Sequence, residues 1–347
     1  MLKKEKIIHF LDHNPSFSNG LINFVKDLSF EQKKDDNEVL IISSADKYKK
    51  IKKRKWKEEN VNILIERNLR KVINLIDEDD LIFFHVTSSL RYFTRKSKTL
   101  LDLLEKNAIF IFHVDPFYSE LVGQRENMIK IIDFVNETNS LGISFSRESI
   151  KTFKDLGLEK IKKVQIGVNI ERLIKNLSKK EDLKSFKNRK YFLTSSTGDG
   201  IYPYIKGVDR FVDLINLKKL NKNAINLGFS EYKTIKNLLL DREKSLNLMK
   251  KAKAFIQLSR SELYGIAVVE AKLTKTPVIV SDLGGLKDNV RYGFRVKNLE
   301  QASEVLDLII QEDEKVFRVV EKNFKDSIKR ENISKTWLEI KKIIKTF

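Results

Sequence analysis

The sequence predicts an α/β protein made of two parallel-sheet halves. Short β-rich apolar runs alternate with helical periodicity through the first half, the alternation starts again at Lys190, and a polar, lysine-rich stretch at 177–189 separates the two. A chain of 347 residues is long enough for two domains, each with its own core. A hydrophobic fraction of 41% beside 33% charged residues is the composition of a folded chain, with no low-complexity tract.

In chain order, residues 6–11 and 38–43 read as strands with a helix near 21–28 between them. Residues 80–86 and 108–113 are further strands, with a helical stretch at 99–106 between. Parallel strands joined by covering helices make this a Rossmann-like half. Residues 141–146, a helix at 147–156 and a short strand with a turn at 161–169 complete it, and the first domain is set at 1–172. The linker is 173–189. The second domain, 190–330, has strands at 190–195, 224–228, 254–258 and 277–281 and helices at 209–220, 245–251, 266–273 and 301–311. In the tail, 331–347, Trp337, Ile340, Ile343 and Ile344 have the spacing of an amphipathic helix, expected to pack back across the domain pair.

No cysteine is present, which excludes disulfides, thiolate metal sites and a cysteine nucleophile and suits a reducing cytoplasm. The basic start has an apolar run cut short by His9 and Asp12, unlike a secretory signal, and no run approaches the roughly 20 apolar residues of a membrane span. The net charge of +19 favours anionic partners: nucleotide phosphates, an anionic membrane face or nucleic acid. Residues 47–57, where Tyr48, Ile51 and Trp56 interleave with lysines, are the candidate membrane surface, and a solvated helix face is the plainer reading of the same run.

The most informative segment is 259–285. It reads as a strand end, a turn at Gly265, a helix whose free N–H groups open at that glycine, and a buried strand announced by Pro277. Such a helix start attracts a diphosphate. Glu262 in the turn and Glu270 inside the helix flank the anion position without touching each other, and polyol recognition gives a reason to keep both carboxylates in a crevice.

At these residues the sequence resembles the retaining glycosyltransferases of GT-B fold, especially family four. Glu262, Glu270, Pro277-Val-Ile and Gly284-Gly285 follow that family's pattern, as do residues 165–173 and the Lys206-Gly207 pair. The resemblance implies two facing Rossmann-like domains with a cleft between them. It implies that Lys206 neutralises the donor diphosphate, that Glu270 holds the nucleotide ribose, and that Glu262 with the backbone of Gly265 and Ile266 holds the donor sugar. His113 matches the histidine that faces the reacting sugar; His85 and Asp115 are weaker acceptor-side candidates. The family's Gly-Gly of the first loop survives only as Asn19-Gly20, which puts Gly20 on the donor side. The arginine usual before the Lys-Gly pair is missing from 197–204, and Lys287-Asp288 stands where Pro-Glu is common.

The implied reaction moves a sugar, with retention, from a nucleoside-diphosphate sugar to a hydroxyl of a glycan, lipid-linked or protein acceptor. The co-substrate is the nucleotide sugar; no cofactor and no metal are expected, because cationic side chains stand at the phosphates. The expected setting is surface or envelope glycan synthesis, in the cytoplasm or peripheral at the inner membrane face. A catalytically silent partner subunit and a nucleic-acid-binding protein are the rivals, the second without any zinc spacing or RNA-binding signature.

Overall fold

A computed structural model describes residues 5–11, 19–43, 55–58, 60–66, 69–87, 108–114, 116–121, 123–175, 188–196 and 200–347. The helical stretch expected at 99–106, most of the linker, residues 47–54 of the basic cluster and Asp115 lie outside them. The chain divides into two compact units, one of residues 1–17, 21–166 and 333–347, the other of 18–20 and 167–332.

In the first unit, β1 (Lys6–Leu11), β2 (Glu38–Ser43), β3 (Lys55–Glu58), β4 (Val61–Ile65), β5 (Leu81–Val86), β6 (Ala108–Phe112), β7 (Leu141–Ser144) and β8 (Ile161–Lys163) form one sheet. Its order is β3-β4-β2-β1-β5-β6-β7-β8, and all described neighbours are parallel except β3 on β4. The central strands β5 and β6 are buried along their whole length, as a parallel sheet covered on both faces requires. The described end of the basic cluster is the edge strand β3, not a helix face. Its lysines sit where charge discourages pairing with another chain's strand.

The helix Gly20–Lys34 runs well beyond the expected 21–28, because its last two turns bury Phe30 and Gln32 as well as the apolar stripe of Ile22, Phe24, Val25 and Leu28. The C-terminal helix Ile333–Thr346 also belongs to this unit. Its buried Trp337 donates from Nε1 to Asp35 Oδ2 at 2.8 Å, and Thr336 Oγ1 donates to the Gln165 carbonyl at 2.7 Å.

The change of unit at 166/167 precedes the expected boundary at 172, so Gly167–Lys175 belong to the second unit. The reason is backbone pairing that composition does not report: Val168 N–H donates to the Glu331 carbonyl at 2.9 Å, and Val168 pairs with Asn332.

The second unit holds β9 (Tyr191–Ser196), β10 (Ala224–Gly228), β11 (Lys236–Leu238), β12 (Ala252–Gln257), β13 (Val278–Ser281) and β14 (Phe294–Val296). They are parallel throughout, in the order β11-β10-β9-β12-β13-β14. Strand order reverses between β9 and β12, and the carboxyl ends of strands at such a switch point are where open α/β sheets bind ligands. The helix Val208–Leu217 seals one face with Val208, Phe211, Leu214 and Ile215 against Ala254, Ile256 and Ile279. Among the described residues no helix is long and apolar enough to cross a membrane.

Candidate active site

The loops after β9, β12 and β13 meet at the switch point, and close backbone approach fixes them to one another. Gly207 has φ 70°, and a Cβ there would lie 1.9 Å from the Leu258 carbonyl oxygen, so no other residue fits. That contact presses the turn after β9 onto the end of β12 and presents Lys206 beside it. The Lys206 carbonyl accepts from Gln257 Nε2 at 2.9 Å. Arg260 clamps the same two loops: it takes both oxygens of Asp209 at 2.8 and 2.6 Å and stacks 3.6 Å above the Tyr204 ring.

Lys206 Nζ and Glu262 Oε2 are 2.7 Å apart, both side chains nearly covered. Burial opposes the ammonium charge, but the Glu262 carboxylate outweighs it and raises the Lys206 pKa above its ordinary value. Glu262 is held from behind by the double glycine. Gly285 N–H donates to the Glu262 carbonyl at 2.8 Å, and a Cβ on Gly285 would fall 1.6 Å from the Leu263 oxygen. Gly284, at φ 49°, approaches the Glu262 oxygen as closely as a glycine can, with 2.6 Å left for a Cβ. Gly265, left-handed at φ 84°, starts the helix Ile266–Leu273, whose first N–H groups open next to this pair.

Glu270 lies inside that helix, 6% exposed, and its Oε1 accepts from Arg242 Nε at 2.7 Å. Beneath the turn, Asn289 Nδ2 donates to the carbonyls of Tyr264 and Gly265 at 2.6 and 3.0 Å. The Tyr264 hydroxyl and Lys272 Nζ both donate to Glu331 Oε1, at 2.7 and 2.9 Å, and the Lys272–Glu331 pair is completely buried. Burial pulls the Lys272 pKa down, opposed by Glu331. The glycine turn therefore rests on a buried polar network. Among the described residues no group of three or more histidine, aspartate or glutamate side chains is placed to hold a metal ion.

Of the remaining expected residues, Gly20 opens the helix Gly20–Lys34 and is grouped with the second unit, where a Cβ on it would lie 3.7 Å from the Ile266 side chain. His113 follows β6 in the first unit and is half-buried. His85 is 1% exposed, with its ring nitrogens against His113 at 2.8 Å and His9 at 2.9 Å, so an imidazole expected to meet an acceptor lies behind His113 instead. Burial, then the neighbouring imidazoles, hold its pKa well below the usual value.

Residues 169–326 match the model of the family described as glycosyl transferases group 1. The matched span lies within the second unit and covers most of it. The whole chain superposes on solved structures: HepE of Anabaena (16% identity, 99% of this chain and 100% of that one, TM-score 0.72) and a sucrose-phosphate synthase from Thermosynechococcus elongatus (13%, 99% and 98%, 0.73). The trehalose-6-phosphate synthase OtsA gives 11%, 99% of each chain and a TM-score of 0.72. At such identities the likeness shows the fold, which is GT-B. No curated protein matches the sequence.

The site also holds residues that the sequence does not mark. Arg242 has no local motif and reaches Glu270 across 28 positions; its only signal is the preceding Asp241, which caps the helix Arg242–Lys250 by accepting from Lys244 N–H at 2.8 Å. Lys272, Asn289 and Glu331 carry no spacing that marks them. His9 carries one, a polar residue at an inward position of an apolar strand.

Proposed function

We propose that this glycosyltransferase moves a sugar from a nucleoside-diphosphate sugar to a hydroxyl acceptor, with retention of configuration and with protein cations in place of a metal. The observation that carries the reading is the Lys206–Glu262 pair at 2.7 Å, set beside the open helix start at Gly265 on the switch-point loops. An incoming diphosphate competes with Glu262 for Lys206, whose raised pKa keeps it charged. Glu262 is then released toward the hydroxyls of the donor sugar. The N–H groups of Ile266 and Ala267 carry part of the phosphate charge, and Glu270, oriented by Arg242, takes the ribose. His113 faces the reacting sugar. Rate enhancement comes from positioning and from stabilising the leaving diphosphate, with donors already oriented.

HepE was solved with UDP and glucose and with UDP-glucose, which makes uridine diphosphate sugars the first donors to try. We assign the acceptor to a surface or envelope glycan and place the enzyme at the inner membrane face, on the strength of the +19 charge and the basic run at 47–57. The test is a thermal-shift and diphosphate-release screen over a panel of nucleoside-diphosphate sugars, with Glu262→Gln alongside. One donor should stabilise the protein and be turned over slowly, and the variant should lose turnover. Binding without any turnover would make the chain a silent homologue, and no response to any donor would overturn the reading.

A further inference from the structure

Three of the four histidines form a line inside the first unit. His9 lies on β1, His85 on β5 and His113 one residue past β6, on successive neighbours in the sheet. The register pairs His9 with Phe83 and His85 with Ile111. Each histidine is therefore two residues nearer the carboxyl ends than the one on the strand before. Two residues is also the period that returns a side chain to the same face. The line thus climbs diagonally from the fully buried His9 to the half-buried His113.

The contacts are continuous. Gln32 Oε1 lies 2.7 Å from His9 Nε2, His9 Nδ1 lies 2.9 Å from His85 Nε2, and His85 Nδ1 lies 2.8 Å from His113 Nε2. Phe83 stacks on His9 with ring centres 5.0 Å apart, and Phe24 meets His113 edge-on at 5.5 Å, so each ring is also held by its packing. A carbonyl oxygen only accepts, so His9 Nε2 carries the hydrogen. A neutral imidazole has one N–H, and burial keeps His9 neutral, with a pKa pushed down to about 4. His9 Nδ1 must then accept from His85 Nε2–H. By the same count His85 Nδ1 accepts from His113 Nε2–H.

We infer that His9 and His85, anchored by Gln32, are positioning residues for His113: the chain of hydrogen bonds fixes its ring rotation and commits its Nε2–H to His85. The catalytic meaning rests on the proposal that His113 faces the reacting sugar. The anchor is a side chain in the helix Gly20–Lys34, remote in sequence from the histidine it orients.

The experiment is two-bond ¹H–¹⁵N correlation of the full chain labelled with ¹⁵N-histidine, with resonances assigned by single histidine substitutions, on wild type, Gln32→Glu and Gln32→Met. Wild type should show His9, His85 and His113 as Nε2–H tautomers. Gln32→Glu should keep that pattern, because a carboxylate also only accepts. Gln32→Met removes the anchor: the His113 signals should change to a tautomer mixture. Its kcat should fall roughly tenfold to a hundredfold through lost orientation, with KM for the donor unchanged. If Gln32→Met does not fold, His9→Phe removes the acceptor for His85 while keeping a ring against Phe83, and should change the His113 spectrum in the same way. An Nδ1–H tautomer for His113 in wild type, or His113 signals indifferent to the loss of the anchor, overturns the inference. Full turnover by His113→Ala would instead overturn the placement of His113 at the sugar, and the spectra would still decide the tautomer chain.

Discussion

Gly285→Ala sets two effects of similar size against each other. Gly285 sits in the helix Gly284–Asn289, where alanine is favoured over glycine by about 1 kcal/mol, so propensity alone predicts a more stable protein. Against this, the new Cβ would meet the Leu263 oxygen at 1.6 Å, the Leu263 carbonyl carbon at 2.2 Å and Tyr264 N at 2.7 Å, all backbone atoms that cannot rotate aside. Real Cβ contacts start near 3.0 Å, so the backbone from Glu262 to Tyr264 must retreat by about 1.4 Å, and the Gly285 N–H bond to the Glu262 carbonyl is lost with it. Forcing atoms into a packed contact costs about 1–3 kcal/mol and the hydrogen bond about 1 more, which outweighs the propensity gain. The expected result is a melting temperature roughly 2–12 °C lower by calorimetry. Because Glu262 moves with that backbone, kcat/KM for the donor should fall on the order of a hundredfold. Gly157→Ala is the control: its φ of 94° brings the left-handed cost of about 1–2 kcal/mol, but nothing lies within 4 Å of its Cβ and donor kinetics should not change. A Gly285→Ala protein that melts at or above wild type and keeps its donor affinity would refute the argument.

Lys206→Met should weaken nucleoside-diphosphate binding by roughly 10- to 100-fold in calorimetric titration, the worth of a charge-assisted hydrogen bond. The Lys206 pKa is raised, so the contribution of its pair with Glu262 to stability is complete below the ordinary lysine value of 10.5 and is lost only as pH rises through the higher folded value. Diphosphate affinity should accordingly show no loss from this group between pH 7 and 10. Arg242→Ala takes the guanidinium away from the buried Glu270 carboxylate and should cost about 3–5 kcal/mol in urea unfolding, with part recovered in the double variant with Glu270→Gln. His9 has a folded pKa near 4 against 6.5 for the free group, so the unfolded chain binds the extra proton in that window. Stability should therefore fall as pH drops from 6.5 to 4, by about 1.4 kcal/mol per unit from this residue, and His9→Phe should remove that part of the slope. His85 acts with the same sign.

What sequence reading located is what local patterns encode. The strand Ala224–Gly228 and the helix Ile266–Leu273 lie where apolar runs and punctuating glycines put them, and Lys206, Glu262 and Gly265 cluster because each follows a switch-point strand. The double glycine was legible as a motif, but its purpose is a backbone contact with Leu263 that only coordinates reveal. The partner of Glu270 was not legible. An arginine is missing from 197–204, and Arg242 comes instead from the first turn of the helix Arg242–Lys250 after β11. The line of histidines was half visible: three apolar strands each end in or carry one histidine, but their stagger depends on the register between β1, β5 and β6, which no single strand contains. The first-domain boundary was missed because it is marked by the pairing of Val168 with Asn332 and not by composition.

The C-terminal helix has a consequence for how the chain is made. The residues that complete the first unit are synthesised after the whole of the second. Until Trp337 and Thr336 emerge, Asp35 and the Gln165 carbonyl lack their partners, and the face of the first unit that takes the buried Ile340 stays open. Domains ordinarily fold in the order of synthesis. Here the first unit needs residues that follow the whole of the second, so a chain cut at residue 332 keeps every residue of the second unit and lacks the helix that completes the first.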